Sequence, residues 1–450
     1  MGATSVGIVG GGPGGLFCAY QLQKWAARPL SIALFEAAPR VGGKILTPCF
    51  STGSVRYEAG AAEFYDYSQF EPDPLRELVR ELGLSVRPMG GAAVLFNGRL
   101  VANADDMRRE FGAGVGNEVR DFDRRAKDAI SPQEFFHADD PEGAASLGPT
   151  RRFSSALERF REPLSRRFIE TLVHSDLATE PERTSVRYGL HNYLMNDPAY
   201  MGLYSIDGGN ERLPRELAAR LAAKIHLQRR ATRVESTGTG RLRVRRQSPD
   251  GEEASELDYV VIALPHNQLR TLSYGDPRLA AAMREHEATY DHPAHYLRIT
   301  LLFERPYWRR LFRDSFWMLD CFGGCCLYDE SSREPESRQG VLGWLIAGEA
   351  AQQMSGHDDR SLVEQALAAL PECLRAPPSA VLEARVHRWL GAVSALPAGW
   401  APRSHDRRHQ PDPRGHPQLF VVGDYLFDST LNGVFDSADF VARWIAALTA

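Results

Sequence analysis

An apolar run and a change of period open the chain. Val6, Ile8 and Val9 read as a short strand. Beyond the glycines that follow, Leu16, Ala19, Tyr20 and Leu22 recur at helical spacing. The pattern predicts strand, glycine turn, helix. A second strand, SIALFE, ends at Glu36. Strand-like runs return at ATRVES (231–236), at Tyr259–Pro265 and at Leu419–Val422. The charged stretch 151–173 reads as helical, whereas AHYLRITLLFE (294–304) and GVLGWLIAGEA (340–350) read as strands. Segments 112–116, 136–150 and 401–417 are rich in Gly, Pro or polar residues and read as loops. The fold class expected is α/β.

Length and composition narrow the classes. At about 150 residues per domain, 450 residues allow two or three domains. Hydrophobic residues at 43% and charged residues at 25% exclude wholesale disorder. Lys plus Arg is 53 against 58 Asp plus Glu, a net charge of −5. That balance offers no basic excess for nucleic acid. Cys18, Cys49, Cys321, Cys325, Cys326 and Cys373 have neither disulfide-framework nor zinc spacing, so no metal is expected. The strand-like Ser5–Val9 leaves no signal peptide, and Val6 stands where a myristoylation pattern wants Ser or Thr. No apolar run reaches a membrane span. The compartment expected is the cytoplasm.

The turn carries the first chemistry. Gly10-x-Gly12-x-x-Gly15 sits between strand and helix, the context of a dinucleotide-binding fingerprint. Gly10 permits the tight turn, Gly12 lets a pyrophosphate approach the backbone, and Gly15 lets helix and strand pack closely. Gly14 belongs to the same turn, and the helix N-terminus favours phosphate. Glu36, 21 residues after Gly15, is placed to accept both ribose hydroxyls. A second glycine pair follows in Arg40-Val41-Gly42-Gly43-Lys44, for which a plain NAD dehydrogenase has no need. No second dinucleotide turn exists to feed electrons from NAD(P)H.

At these residues the sequence resembles the flavin-dependent amine oxidase superfamily. That group includes monoamine and polyamine oxidases, L-amino-acid oxidases, protoporphyrinogen oxidase and phytoene-type desaturases. Further landmarks follow in the family's order. Glu58-x-Gly60-Ala61-Ala62-Glu63 resembles the segment beside the flavin ring. Asp207-Gly208-Gly209-Asn210 with Leu213 and Leu217 resembles its Gly-Gly segment. Val234 resembles the residue holding the adenine edge by its backbone. Gly423-Asp424, then Gly433, Val434 and Phe435, resemble the C-terminal flavin segment, whose helix N-terminus near Phe435 and Asp436 would face the flavin N1–C2=O edge. The resemblance implies a discontinuous Rossmann-like FAD-binding domain (1–90, 205–275, 415–450) and an α+β substrate-binding domain (91–204, 276–414). It implies noncovalent FAD, since SALPAGW (394–400) lacks the covalent-flavin Cys. It also implies a small-molecule substrate and O2 as electron acceptor, and a homodimer is the default assembly.

Departures from the family pattern set the expected chemistry. Arg298 stands where the family has a Lys that holds a water against flavin N5. Glu63 stands where amino-acid oxidases have a basic residue. A carboxylate there repels an α-carboxylate, and it attracts a cationic amine or acts as a base. Glu63 and Arg298 are therefore the catalytic candidates, with Trp389 and Phe435 as aromatic substrate residues beside Glu63. The expected reaction is oxidation of a C–N bond, amine or amide, to an imine or iminium by hydride transfer to flavin N5. The Glu63 segment and LYSIDGGNERLPRELA (203–218) also resemble a macrocyclising amide-oxidase branch of biosynthetic enzymes. Carbon–carbon desaturation of the protoporphyrinogen-oxidase type, L-amino-acid oxidation and a non-catalytic flavoprotein stand as alternatives.

Overall fold

The computed structural model describes residues 3–52, 55–69, 71–91, 93–136, 151–400, 403–427 and 429–450. A five-stranded parallel sheet holds the N-terminus. Its order runs Leu419–Val421, Tyr259–Ile262, Ser5–Val9, Ser31–Phe35, Lys224–His226. Parallel neighbours need crossovers, which is why one sheet draws strands from both chain ends. Helix Pro13–Trp25 crosses from Ser5–Val9 to Ser31–Phe35 and packs on the C-terminal helix Leu431–Leu448. Phe17 meets Phe435 edge-to-face there, with centroids 5.3 Å apart, a geometry worth about 1 kcal/mol beyond burial.

A seven-stranded sheet forms the second core. Its order is Val381–Ser394, Pro293–Phe303, Gly340–Ala347, Cys325–Asp329, Phe316–Leu319, Val94–Phe96, Arg99–Val101. Strand Pro293–Phe303 is its spine, placing Tyr296 opposite Trp389, and Arg298 between Leu345 and His387. Helix Pro163–Leu177, begun by a proline at its first turn, lies against this sheet. A small sheet, Phe64–Asp66, Gly202–Ile206, Val86–Met89, stands between the two large ones in sequence and carries the segment after Glu63.

Several sequence expectations change. The stretch 151–173 resolves into helices Ser154–Leu157 and Pro163–Leu177. GVLGWLIAGEA stays extended only to Ala347, and helix Gly348–Met354 takes over. The glycines of 112–116 do not make a loop: Gly112, at φ +101°, caps helix Ala113–Ala129. Burial of Val115, Val119, Phe122 and Ala126 along one face outweighs the low propensity of Gly114 and Gly116. Of the predicted 401–417 loop, 401 and 402 lie outside the described residues, and 403–417 is not a solvated loop. His405–His409 is helical, and Arg408, His409 and His416 are buried. Of the predicted 136–150 loop, Phe136 ends helix Pro132–Phe136, and 137–150 lie outside the described residues.

Candidate active site

The two glycine loops are joined face to face. The Gly42 N–H donates to the Gly11 carbonyl (2.8 Å). Arg40 shapes the second loop by donating to the Val41 and Gly43 carbonyls (3.0 and 2.7 Å). A Cβ on Gly43 would stand 3.1 Å from the Gly12 Cα, so a side chain would fill the groove between the loops. Glu36 takes N–H bonds from Gly11 (2.6 Å) and Ala38 (2.7 Å), which fix its carboxylate at the turn. The groove thus has the backbone approach that a pyrophosphate needs.

From Pro13 the groove opens into a cleft of about 970 Å³. Lys44, Gly60, Ala61, Ala62, Asp424 and Val434 line it, with Thr430 and Leu431 at the start of the C-terminal helix. Lys44 donates to the Ala392 carbonyl and lies 3.5 Å from Asp424. Gly60 and Ala61 pack edge-on against the Lys44 loop, where the Ala61 N–H donates to the Lys44 carbonyl (3.1 Å).

Buried polar contacts pin the segment 58–63. Glu58 accepts from Thr47 Oγ1 (2.7 Å) and the Asn210 N–H (2.9 Å), and Arg333 lies 3.1 Å from it. Burial lifts Glu58 to about 7, against the pull of Arg333. Asn210 Nδ2 donates to the Ala61 and Ala62 carbonyls (3.0 Å each), and Arg333 donates to Ala62 (2.7 Å). These bonds deliver Glu63 to the end of the cleft, where it also lines a second chamber of about 800 Å³. Met89, Met195, Met201, Met318 and Phe316 give that chamber apolar walls.

The family model for flavin containing amine oxidoreductases matches residues 13–446. The chain belongs to that family. It is a flavin-dependent oxidoreductase, and its cofactor is FAD. No curated protein matches this amine oxidoreductase by sequence. Solved structures match by fold. A double mutant of putrescine oxidase has a TM-score of 0.75 at 18% identity, covering 99% of this chain and 100% of that one. Cyclohexylamine oxidase from Brevibacterium oxydans IH-35A has a TM-score of 0.74 at 18% identity, covering 99% of both chains. A structure from Exiguobacterium sp. 255-15, provisionally described as a protoporphyrinogen oxidase, has a TM-score of 0.74 at 19% identity over both full chains.

In this amine oxidoreductase, two expected residues, Arg298 and Phe435, stand elsewhere. Arg298 is fully buried and does not line the cleft. Glu330 takes its guanidinium, and the Tyr328 ring lies 4.9 Å away. Opposite charge in a dry core draws the arginine away from the cavity. Phe435 faces inward onto Phe17, because the C-terminal helix starts at Leu431, with Thr430 as its N-cap. Its N-terminus is therefore at Thr430–Gly433, not near Phe435 and Asp436, and Val434 faces the cleft instead. Val234 is buried within strand Arg230–Ser236, and its carbonyl already accepts from the Gly275 N–H (2.9 Å). Trp389 does line the cleft, and its indole donates to the Ala59 carbonyl (2.7 Å).

The fold supplies residues the sequence reading missed. Tyr65 and Tyr296 line the cleft, and Asp176 and Tyr328 line the second chamber. Tyr65 and Tyr296 were reachable from Glu63 and Arg298 by stepping two positions along a strand. Asp176 had no such signal. Burial raises the Glu63 carboxyl above its usual range, with Tyr328, Arg298 and Arg333 pulling it back. Burial and then the Glu63 charge lift Asp176 to about 7. Tyr328, Tyr65 and Tyr296 are pushed far above the phenol range by burial.

Beneath the C-terminal loop, the Gly423 N–H donates to Ser437 Oγ (3.1 Å), and Ser437 meets His409 Nε2 (3.0 Å). His409 Nδ1 lies 2.6 Å from the His405 carbonyl. Burial holds His409 down to about 3, so the ring is neutral and bridges the two as acceptor and donor. Among the described residues no cluster could hold a metal ion, and no helix is long and apolar enough to cross a membrane.

Proposed function

We infer that this enzyme oxidises the carbon–nitrogen bond of a cationic amine carried on an apolar body, giving an imine or iminium. The observation that carries the reading is Glu63. It stands where cleft and chamber meet, and its Oε2 is buried without a hydrogen-bond partner. An unsatisfied buried carboxylate oxygen is costly unless a ligand supplies a donor, and an ammonium group does so. The methionine-rich chamber accommodates the apolar body, since thioethers adapt to irregular shapes.

The turn Gly10–Gly15 with Glu36 would hold the adenosine and pyrophosphate. Gly42–Lys44, Gly60–Ala62, Asp424 and the helix start at Thr430–Val434 would hold the remainder. When bound, the flavin supplies a two-electron acceptor for the hydride on the carbon beside nitrogen. Glu63 attracts the ammonium, and as a base it takes the proton that must leave nitrogen before hydride departs. Tyr65, Tyr296 and Trp389 wall the reacting carbon from water. No Cys lines the cleft among the described residues, which supports noncovalent FAD. The lack of a second dinucleotide turn supports O2 as acceptor.

The apolar chamber also favours a second reading, oxidation of a carbon–carbon bond in an apolar substrate. One experiment separates the two. Holoenzyme is mixed anaerobically with cyclohexylamine, putrescine, longer alkylamines, amides and L-amino acids, and the flavin absorbance is followed. Amines bleach it and amino acids do not. Bleaching by amino acids overturns the Glu63 argument. Silence across the panel leaves carbon–carbon oxidation.

A further inference from the structure

We propose that Asp176 is a second anchor for the substrate ammonium, which it binds in exchange for its own carboxyl proton. The proposal rests on the amine reading above, yet its test does not require turnover.

Asp176 stands one residue before the end of helix Pro163–Leu177. It shares the 800 Å³ chamber with Glu63, and it also lines a smaller cavity of about 430 Å³ behind Tyr65. Among the described residues, neither cavity is lined by Lys or Arg. The contact it makes, with Asn196 Nδ2 at 3.3 Å, is long for a carboxylate. Glu63 by contrast feels Arg298 and Arg333 from behind the wall. Of the two acids, Asp176 is therefore the one without a cation.

The other groups facing Asp176 supply none. Tyr65 comes from strand Phe64–Asp66, and Tyr296 from Pro293–Phe303. Tyr188 and His191 come from helix Val186–Leu194, and Cys326 and Tyr328 from strand Cys325–Asp329. Burial holds His191 down to about 3, so it is neutral, and it keeps the Cys326 thiol protonated. Burial, and then the Glu63 carboxyl that shares the chamber, lift Asp176 so that it holds its proton up to about 7.

A cation entering the chamber reverses that balance. The Asp176 O–H bond breaks, the electron pair stays on the carboxylate, and the proton leaves to solvent. The ammonium then lies between two carboxylates. Binding tightens as pH rises through neutrality, because the proton competing with the cation is lost. Below that range, one proton displaced per cation bound makes Kd rise about tenfold per pH unit.

The test uses holoenzyme and tert-butylammonium, whose carbon beside nitrogen bears no hydrogen and cannot be oxidised. Calorimetric titration at pH 6, in two buffers of different ionisation enthalpy, counts protons released. Wild type releases close to one proton per cation. D176N releases markedly fewer protons and shows a flatter dependence of Kd on pH, and D176E restores release. Flavin absorbance and melting temperature confirm that both variants are folded. A wild-type count near zero overturns the proposal even if D176N does not fold, and so does equal release by wild type and folded D176N. Proton release from an enzyme whose flavin no amine bleaches would sink the amine reading and leave this site standing.

Discussion

Arg298 and Glu330 meet in the dry interior of the seven-stranded sheet, and Glu330 also accepts the Glu58 N–H at 2.6 Å. The pair thereby props the segment that carries Glu63. Its two remaining guanidinium nitrogens, Nε and Nη1, are buried without partners. Sequence position alone suggested a cation at the flavin, because counting back from Pro306 cannot reveal that a carboxylate 32 residues later claims the side chain. Removing one member of a buried ion pair strands the other, at a cost of about 3–5 kcal/mol. Arg298→Met is thus expected to lower unfolding free energy by about that much in denaturant titration. Arg298→Met with Glu330→Met recovers part of the loss, not all, because the Glu58 N–H then lacks its acceptor. If Arg298→Met unfolds like wild type yet loses flavin reduction, the arginine acts at the cleft.

At the scale of elements, the loops that line the cleft are held at backbone contact. A Cβ on Gly60 would lie 1.8 Å from the Lys44 carbonyl oxygen, so any side chain must part the two segments. Gly60→Ala is expected to purify with little flavin and a lower melting temperature, read from the visible spectrum and a thermal scan. A fully flavinated variant of wild-type stability would show that the loops separate freely. The strand–turn–helix at the N-terminus was legible because its signals are local: apolar spacing, a glycine with φ +110° at Gly10, and a proline at the helix start. Helix Ala113–Ala129 was not legible at its start, since three glycines signal a loop and only packing overrides them. The buried run Arg408–His409 reads as solvated for a similar reason. Its partners, the Leu426 carbonyl and Ser437, are distant in sequence.

For the molecule as a whole, the cleft draws on loops from both chain ends and from between them, so cofactor binding and folding are linked. FAD bound at 100 times Kd adds about 2.7 kcal/mol. Apoprotein is expected to melt well below holoenzyme, with the gap closing as FAD is titrated in. Acid precipitation of holoenzyme should leave the flavin in the supernatant, since no Cys lines the cleft among the described residues. Flavin that stays in the pellet would mean a covalent bond.

The sequence by itself determined the nucleotide turn, the second glycine pair, Glu36 at a strand end, and the placement of Glu63 after a Gly-Ala segment. The turn and the strand end follow from short-range sterics and period, which one stretch of chain carries unaided, whereas the glycine pair and Glu63 stood out by their resemblance to the flavin family's segments. Only the tertiary structure decided which charged and aromatic groups face the cavity. Arg298 and Phe435 turned inward to nearby partners, Glu330 and Phe17, while Asp176, Tyr65 and Tyr296 came from separate elements to the same walls. Side-chain burial is settled by what lies opposite across the fold, and that is set by sheet register and helix packing rather than by any neighbour in sequence.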